Sequence, residues 1–184
     1  MNKALFLDRD GTLIEHKPYL HKPEEVVLLA GTADALRRAR EAGYLLFLFT
    51  NQSGVGRGYF TCDDVHRVHA RLVELLGLGA DVFLETCVAP EHPDTPSLYR
   101  KPSPRFILEM IDKHRLQADC CWMIGDAPSD WESGRLAAIN SISLAKDPMR
   151  KAPVPLGAFG PLWFPDLGAA VHAILQHSNL AGAP

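Results

Sequence analysis

Apolar positions along this chain fall into two alternating patterns. The runs Ala4–Leu7 and Tyr44–Phe49 are unbroken, as expected of strands buried on both faces. Asp81–Val88, Cys120–Ile124 and residues 141–144 supply three further strands. Between them, apolar residues recur at helical spacing. Leu36 and Ala39 mark a helix over 32–42. Val65, Val68, Leu72 and Leu75 mark the next, and Phe106, Ile107, Met110 and Ile111 a third. Another follows Ser129, and Leu167, Ala170, Val171, Ile174 and Leu175 give the last an amphipathic stripe. Strand and helix therefore alternate throughout. That predicts an α/β fold, an open parallel Rossmann-like sheet with helices on both faces in three layers.

Two stretches fit neither pattern. Residues 12–30, with His16, Pro18, His21 and Pro23, predict a small flap beside the first strand end. Residues 146–165 contain five prolines and predict an irregular covering segment. The remaining residues are used up by helices and strands, so the cap over the sheet edge is minimal or missing. Residues 1–184 are expected to form a single domain.

Local signals place the helix ends. Gly43 stops the first helix. Thr61 with Asp64 forms a capping box. Ser103 as N-cap and Pro104 at the first helical position open the third helix. Ser129 with Glu132 matches a capping box for the fourth. That makes Asp130 a helix N-terminal acid and leaves Asp126 on the loop.

Composition narrows the function. The net charge of −3 supplies no general basic field, so nucleic acid is not an expected partner. An anionic ligand would need local positive charge. The four cysteines, at 62, 87, 120 and 121, contain no C-x-x-C and fit a reducing cytoplasm better than a disulfide framework. The segment before Asp8 is too short for a signal peptide, and no run could span a membrane. A monomer is expected, with 147–165 as a candidate contact segment.

Candidate chemistry gathers at strand ends. Asp8 and Asp10 are two apart in an extended segment and so share a side, with Gly11 free to turn. Close carboxylates repel unless a cation lies between them or one holds a proton. The pair therefore points to a hard divalent metal, or to a nucleophile with an acid/base partner. The second strand ends at Thr50-Asn51-Gln52-Ser53-Gly54-Val55-Gly56-Arg57-Gly58, a loop able to offer backbone N–H groups to a phosphate. It is neither a Walker loop nor G-x-G-x-x-G. Arg100 and Lys101 precede a helix N-terminus and make an anion site. The fourth strand ends at Gly125-Asp126, with Asp130 beyond. His66 and His69 lack a third ligand nearby and read as a solvated helix face. Each cluster alone could be an ordinary solvated turn. Their convergence on one sheet edge argues for a site.

Asp8-x-Asp10-Gly11-Thr12, Thr50-Asn51, Lys101 and Gly125-Asp126-x-x-x-Asp130 resemble, in order, the four motifs of the haloacid dehalogenase (HAD) superfamily. Asp8-Arg9-Asp10, the 50–58 loop and Arg100-Lys101-Pro102 further resemble one branch. That branch holds D-glycero-D-manno-heptose 1,7-bisphosphate phosphatase and the histidinol-phosphate phosphatase domain. The resemblance implies a phosphomonoester hydrolase working through an aspartyl-phosphate on Asp8, with Asp10 as acid and then base. It implies Mg²⁺ held by the Asp8 carboxylate, the Asp10 backbone carbonyl and Asp126. Thr50 and Lys101 would bind the phosphoryl group, Asn51, Arg57 and Arg100 would orient the substrate, and Asp130 would support Lys101 or a metal-bound water.

The implied substrate is a small phosphorylated metabolite, first a heptose 1,7-bisphosphate losing its 7-phosphate, second histidinol phosphate. A phosphotransferase would use the same residues. A phosphate-binding regulator that has lost turnover is the reading of another class, and the retained acids at 8, 10 and 126 weigh against it. The branch usually carries a zinc loop, Cys-x-His…Cys-x-Cys, before Arg-Lys-Pro. Here Ala89, Glu91, Ser97 and Tyr99 stand at those positions, so no structural zinc is expected. Selectivity then falls to Tyr19, Arg57, Arg100 and the 89–100 loop.

Overall fold

Ala4 to Leu7 are all buried, with alternate side chains on opposite faces of a sheet. This run belongs to β1 (Asn2–Leu7), at the centre of the molecule. The computed structural model of the chain describes residues 2–144 and 161–181. The other strands are β2 (Tyr44–Asn51), β3 (Glu85–Ala89), β4 (Leu116–Gly125), β5 (Asn140–Leu144) and β6 (Leu162–Phe164). All pairings are parallel, in the order β3-β2-β1-β4-β5-β6. The helices are α1 (Thr32–Glu41), α2 (Ser53–Gly56), α3 (Cys62–Leu76), α4 (Arg105–His114), α5 (Pro128–Leu136) and α6 (Leu167–Ala181).

The strand pleat sorts the core into two layers. Leu5 and Leu7, with Leu46 and Leu48, join Leu36 of α1, Leu72 of α3 and Val171 of α6. Ala4 and Phe6, with Phe47 and Phe49, join Phe106, Ile107 and Met110 of α4. Phe6 stacks on Phe47 at 4.9 Å and meets Phe106 edge-on at 6.1 Å, both favourable ring geometries. The expected three-layer α/β architecture is therefore present.

Strand order reverses between β1 and β4, because β2 and β3 extend one way and β5 and β6 the other. Such a switch point opens a crevice at the carboxyl ends of the two strands. Asp8 follows β1 and Asp126 follows β4, so topology delivers both acids to that crevice. A backbone bond from the Asp8 N–H to the Ile124 carbonyl (3.0 Å) ties the two strand ends together.

Several local expectations are corrected. Residues 162–164 form β6 instead of an irregular cover, and residues 145–160 of that stretch lie outside the described residues. β3 begins only at Glu85, because Val82 and Phe83 are buried in a turn and do not pair as a strand. β4 begins at Leu116, four residues early, pairing there with Asn2 across a register shift. α4 starts at Arg105 with Pro104 as N-cap, and the Ser103 hydroxyl accepts the Arg105 N–H (3.4 Å) while donating to the Leu98 carbonyl (2.7 Å). α5 starts at Pro128, so Ser129 is not its cap, and Glu132 pairs with Arg135 (2.7 Å). The Asp130 carboxylate takes the Ala127 N–H (2.9 Å).

The Thr61–Asp64 box forms as expected, with reciprocal bonds of 2.7 and 3.2 Å. The 12–30 flap is rooted in the core by Leu13, Ile14, Leu20 and Val26, and Ile14 bridges to Leu28. No described helix is long and apolar enough to cross a membrane.

Candidate active site

Lys101 joins the acids of β1 and β4. It is buried, and its ammonium donates to Asp8 Oδ1 (2.6 Å) and to the Phe49 carbonyl (2.7 Å). It also pairs with Asp130 Oδ1 at 2.6 Å. A buried ammonium needs this many partners, since an unpaired charge there would cost several kcal/mol, roughly. Burial alone would lower the Lys101 pKa, but Asp130 and Asp8 outweigh it and raise it. Burial pushes the Asp8 carboxyl up to about 7, with Lys101 opposing the shift and Asp130 and Asp10 adding to it. Asp8 and Asp130 thus share one ammonium.

Asp8, Asp126 and Asp130 each place a carboxylate oxygen within 4.8 Å of the others. An oxygen-only donor set of this kind suits a hard divalent cation. Glycines make the convergence possible. Gly11 turns at φ +84°, and a Cβ there would overlap the Asp126 carboxylate. A Cβ at Gly125 would overlap the side chain of Asp130. Asp8 and Asp126, the two carboxylates that the resemblance assigns to a metal, both stand in this acid group. Asp130 stands in the cluster, whereas the Asp10 carboxylate turns away to Arg9 and Gln52.

Thr50 is buried at the end of β2, where its hydroxyl accepts from Gln52 Nε2 (2.8 Å). Asn51 is tied to the Lys101 backbone. Its amide nitrogen donates to the Lys101 carbonyl (3.1 Å), and its oxygen accepts the Lys101 N–H (2.9 Å). This pair locks the end of β2 to the loop that carries the ammonium. Arg57 is exposed at the end of α2. Arg100 is half-buried, and its Nη1 has no partner among the described residues.

Between the flap and the 51–60 loop lies a cleft of about 160 Å³, with Asp10, His16, Tyr19, Asn51, Ser53 and Phe60 among its walls. Tyr19 meets Tyr59 edge-on at 4.7 Å, joining the two sides. In the 89–100 loop, Ser97 Oγ accepts the Arg100 N–H (3.0 Å) and the Tyr99 hydroxyl donates to Glu109 (3.0 Å). These bonds tie Ser97 and Tyr99 of the loop to Arg100 and to α4.

His69 departs from expectation. It is half-buried, 5.9 Å from Phe83, and burial and then the Arg9 charge lower its pKa. Sequence reasoning also passed over Arg9 and Gln52. A charged residue between two acids just beyond a buried strand was the available signal for Arg9. Nothing in the spacing pointed to Gln52.

Comparison with known proteins agrees with this geometry. A family model described as haloacid dehalogenase-like hydrolase matches residues 19–138, which include Thr50, Lys101, Asp126 and Asp130. A D-glycero-beta-D-manno-heptose-1,7-bisphosphate 7-phosphatase from Helicobacter pylori is 36% identical over 151 residues, covering 81% of this chain and 87% of that protein. A D-glycero-D-manno-heptose-1,7-bisphosphate 7-phosphatase from Thermosynechococcus vestitus is 34% identical, covering 76% of each. Among solved structures, a D,D-heptose 1,7-bisphosphate phosphatase from B. bronchiseptica, complexed with magnesium and phosphate, superposes with a TM-score of 0.85. It is 23% identical and covers 96% of this chain and 99% of that one, a likeness of fold.

Proposed function

The chain belongs to the haloacid dehalogenase-like hydrolase family, and from that premise we propose that it is a Mg²⁺-dependent phosphatase. Its proposed substrate is D-glycero-D-manno-heptose 1,7-bisphosphate, from which it removes the 7-phosphate. The observation that carries the reading is the buried Asp8–Lys101–Asp130 chain at the switch-point crevice, with Asp126 beside it. The relatives that act on this sugar phosphate support the substrate.

Asp8 is the nucleophile. Its oxygen bonds to phosphorus as the bond to the leaving alcohol breaks, giving an aspartyl-phosphate. Asp10 gives the leaving oxygen a proton. It then takes one from the water that attacks phosphorus and restores Asp8. Lys101 turns to a phosphoryl oxygen the donor it now gives Asp8, and the Thr50 hydroxyl binds a second. Asp130 holds Lys101 in place, and Asn51 fixes its backbone. Arg57 and Arg100 take the rest of the substrate at the crevice mouth. The carboxylates of Asp8 and Asp126, with the Asp10 backbone carbonyl, would hold Mg²⁺. Bound there, the ion neutralises charge on nucleophile and phosphoryl group.

The test is phosphate release with and without Mg²⁺ from both anomers of the heptose bisphosphate and from histidinol phosphate, with Asp8→Asn as control. Preference for a heptose bisphosphate, lost in the variant and without metal, is expected. Preference for histidinol phosphate would overturn the substrate. Release from none would overturn the enzyme reading.

A further inference from the structure

Arg9 is among the most deeply buried side chains of the protein, at 1% exposure. It follows Asp8 directly, yet its guanidinium curls back on the other acid. Arg9 Nε donates to Asp10 Oδ2 (3.0 Å) and Nη2 to Asp10 Oδ1 (3.2 Å), a two-toothed grip. Gln52, arriving from the end of β2, donates Nε2 to Asp10 Oδ2 at 2.8 Å and Nε2 also to Thr50. The third nitrogen of Arg9, Nη1, is buried with no partner among the described residues. A buried guanidinium carries a desolvation cost that its ion pair does not reliably return as stability. What the grip does supply is a single orientation for Asp10.

We propose that Arg9, with Gln52, is a positioning residue that aims the Asp10 carboxylate at the leaving oxygen. This rests on the phosphatase reading. Lone-pair accounting adds an atom to it. Oδ2 accepts from both Arg9 and Gln52 and is filled, whereas Oδ1 accepts only from Arg9 and keeps a lone pair. Oδ1 is therefore the oxygen that gives the proton to the leaving alcohol as the phosphorus–oxygen bond breaks.

A residue that acts through the general acid matters only when the leaving group needs a proton. An alkoxide needs one, and p-nitrophenolate does not. First-turnover release is therefore measured with Mg²⁺ on two substrates. One is an alkyl phosphate that the wild type turns over, the heptose bisphosphate first, and the other is p-nitrophenyl phosphate. Arg9→Met should slow alkyl release by roughly 30–100-fold, on the scale of a misplaced catalytic group, and leave p-nitrophenolate release within about threefold. Gln52→Met, which keeps the buried charge, should show the same selectivity at roughly 5–10-fold, and it decides the matter if the Arg9 variant does not fold. In an Asp10→Asn background, neither substitution should add selectivity.

Equal losses on both substrates, or no loss on either, would overturn the inference while leaving the phosphatase reading intact. A wild type that hydrolyses neither compound would overturn the phosphatase reading and the inference with it.

Discussion

Lys101 spends its ammonium hydrogens on Asp8, the Phe49 carbonyl and Asp130 before any substrate arrives. A phosphoryl group in this site therefore meets a cation already aimed, at the cost of displacing one internal partner. The same tightness makes Gly11 sensitive. Alanine there must adopt φ +84° and also push the Asp126 carboxylate aside. Gly11→Ala should cost about 1–2 kcal/mol from the backbone alone, read by thermal unfolding. It should also raise the Mg²⁺ concentration needed for half-maximal activity. A variant of normal Mg²⁺ dependence would show that Asp126 does not hold the ion.

Elements carry these residues, and the legible ones are those whose burial leaves a pattern. β1 and β2 are uninterrupted apolar runs because both faces are covered. β6 is three residues between Pro161 and Pro165, too short to show a period. Serine at 103 and at 129 matched the capping rule, but Pro104 and Pro128 shifted the helix starts, and Asp130 took the reaching-back role assigned to Glu132.

The short edge strand β3 is held partly by charge. Glu85 pairs with Lys113 (2.8 Å) and His114 at the end of α4. The bond from Lys113 lowers the Glu85 pKa below its ordinary 4.5 against the effect of burial, with His114 helping. A lowered carboxyl stabilises the fold above its unfolded-state pKa and loses that contribution as pH falls through the folded value. Glu85→Gln should cost less than about 1 kcal/mol in urea unfolding at neutral pH. The gap from wild type should close as pH falls below 4.5. A gap that persists in acid would assign the effect to packing.

At the scale of the whole molecule, the alternation of strands and helices already places three strand-end clusters and the helix-opening Arg100–Lys101 pair on one edge, so membership of the site was readable from chain order. Roles within it were less so. The acid cluster contains Asp130 beside Asp8 and Asp126, and the Asp10 carboxylate is held by Arg9 and Gln52. That pairing joins the end of β1 to the end of β2, and no local spacing encodes it.

The central claim is that Asp8 becomes phosphorylated during turnover. Wild-type enzyme mixed with substrate and Mg²⁺, quenched in acid within one turnover and digested with pepsin, should yield the peptide containing Asp8 heavier by one phosphoryl group. The adduct should be discharged by hydroxylamine, as an acyl phosphate is, and missing in Asp8→Asn. Turnover with no such adduct at any quench time, or an adduct on another residue, would contradict the account.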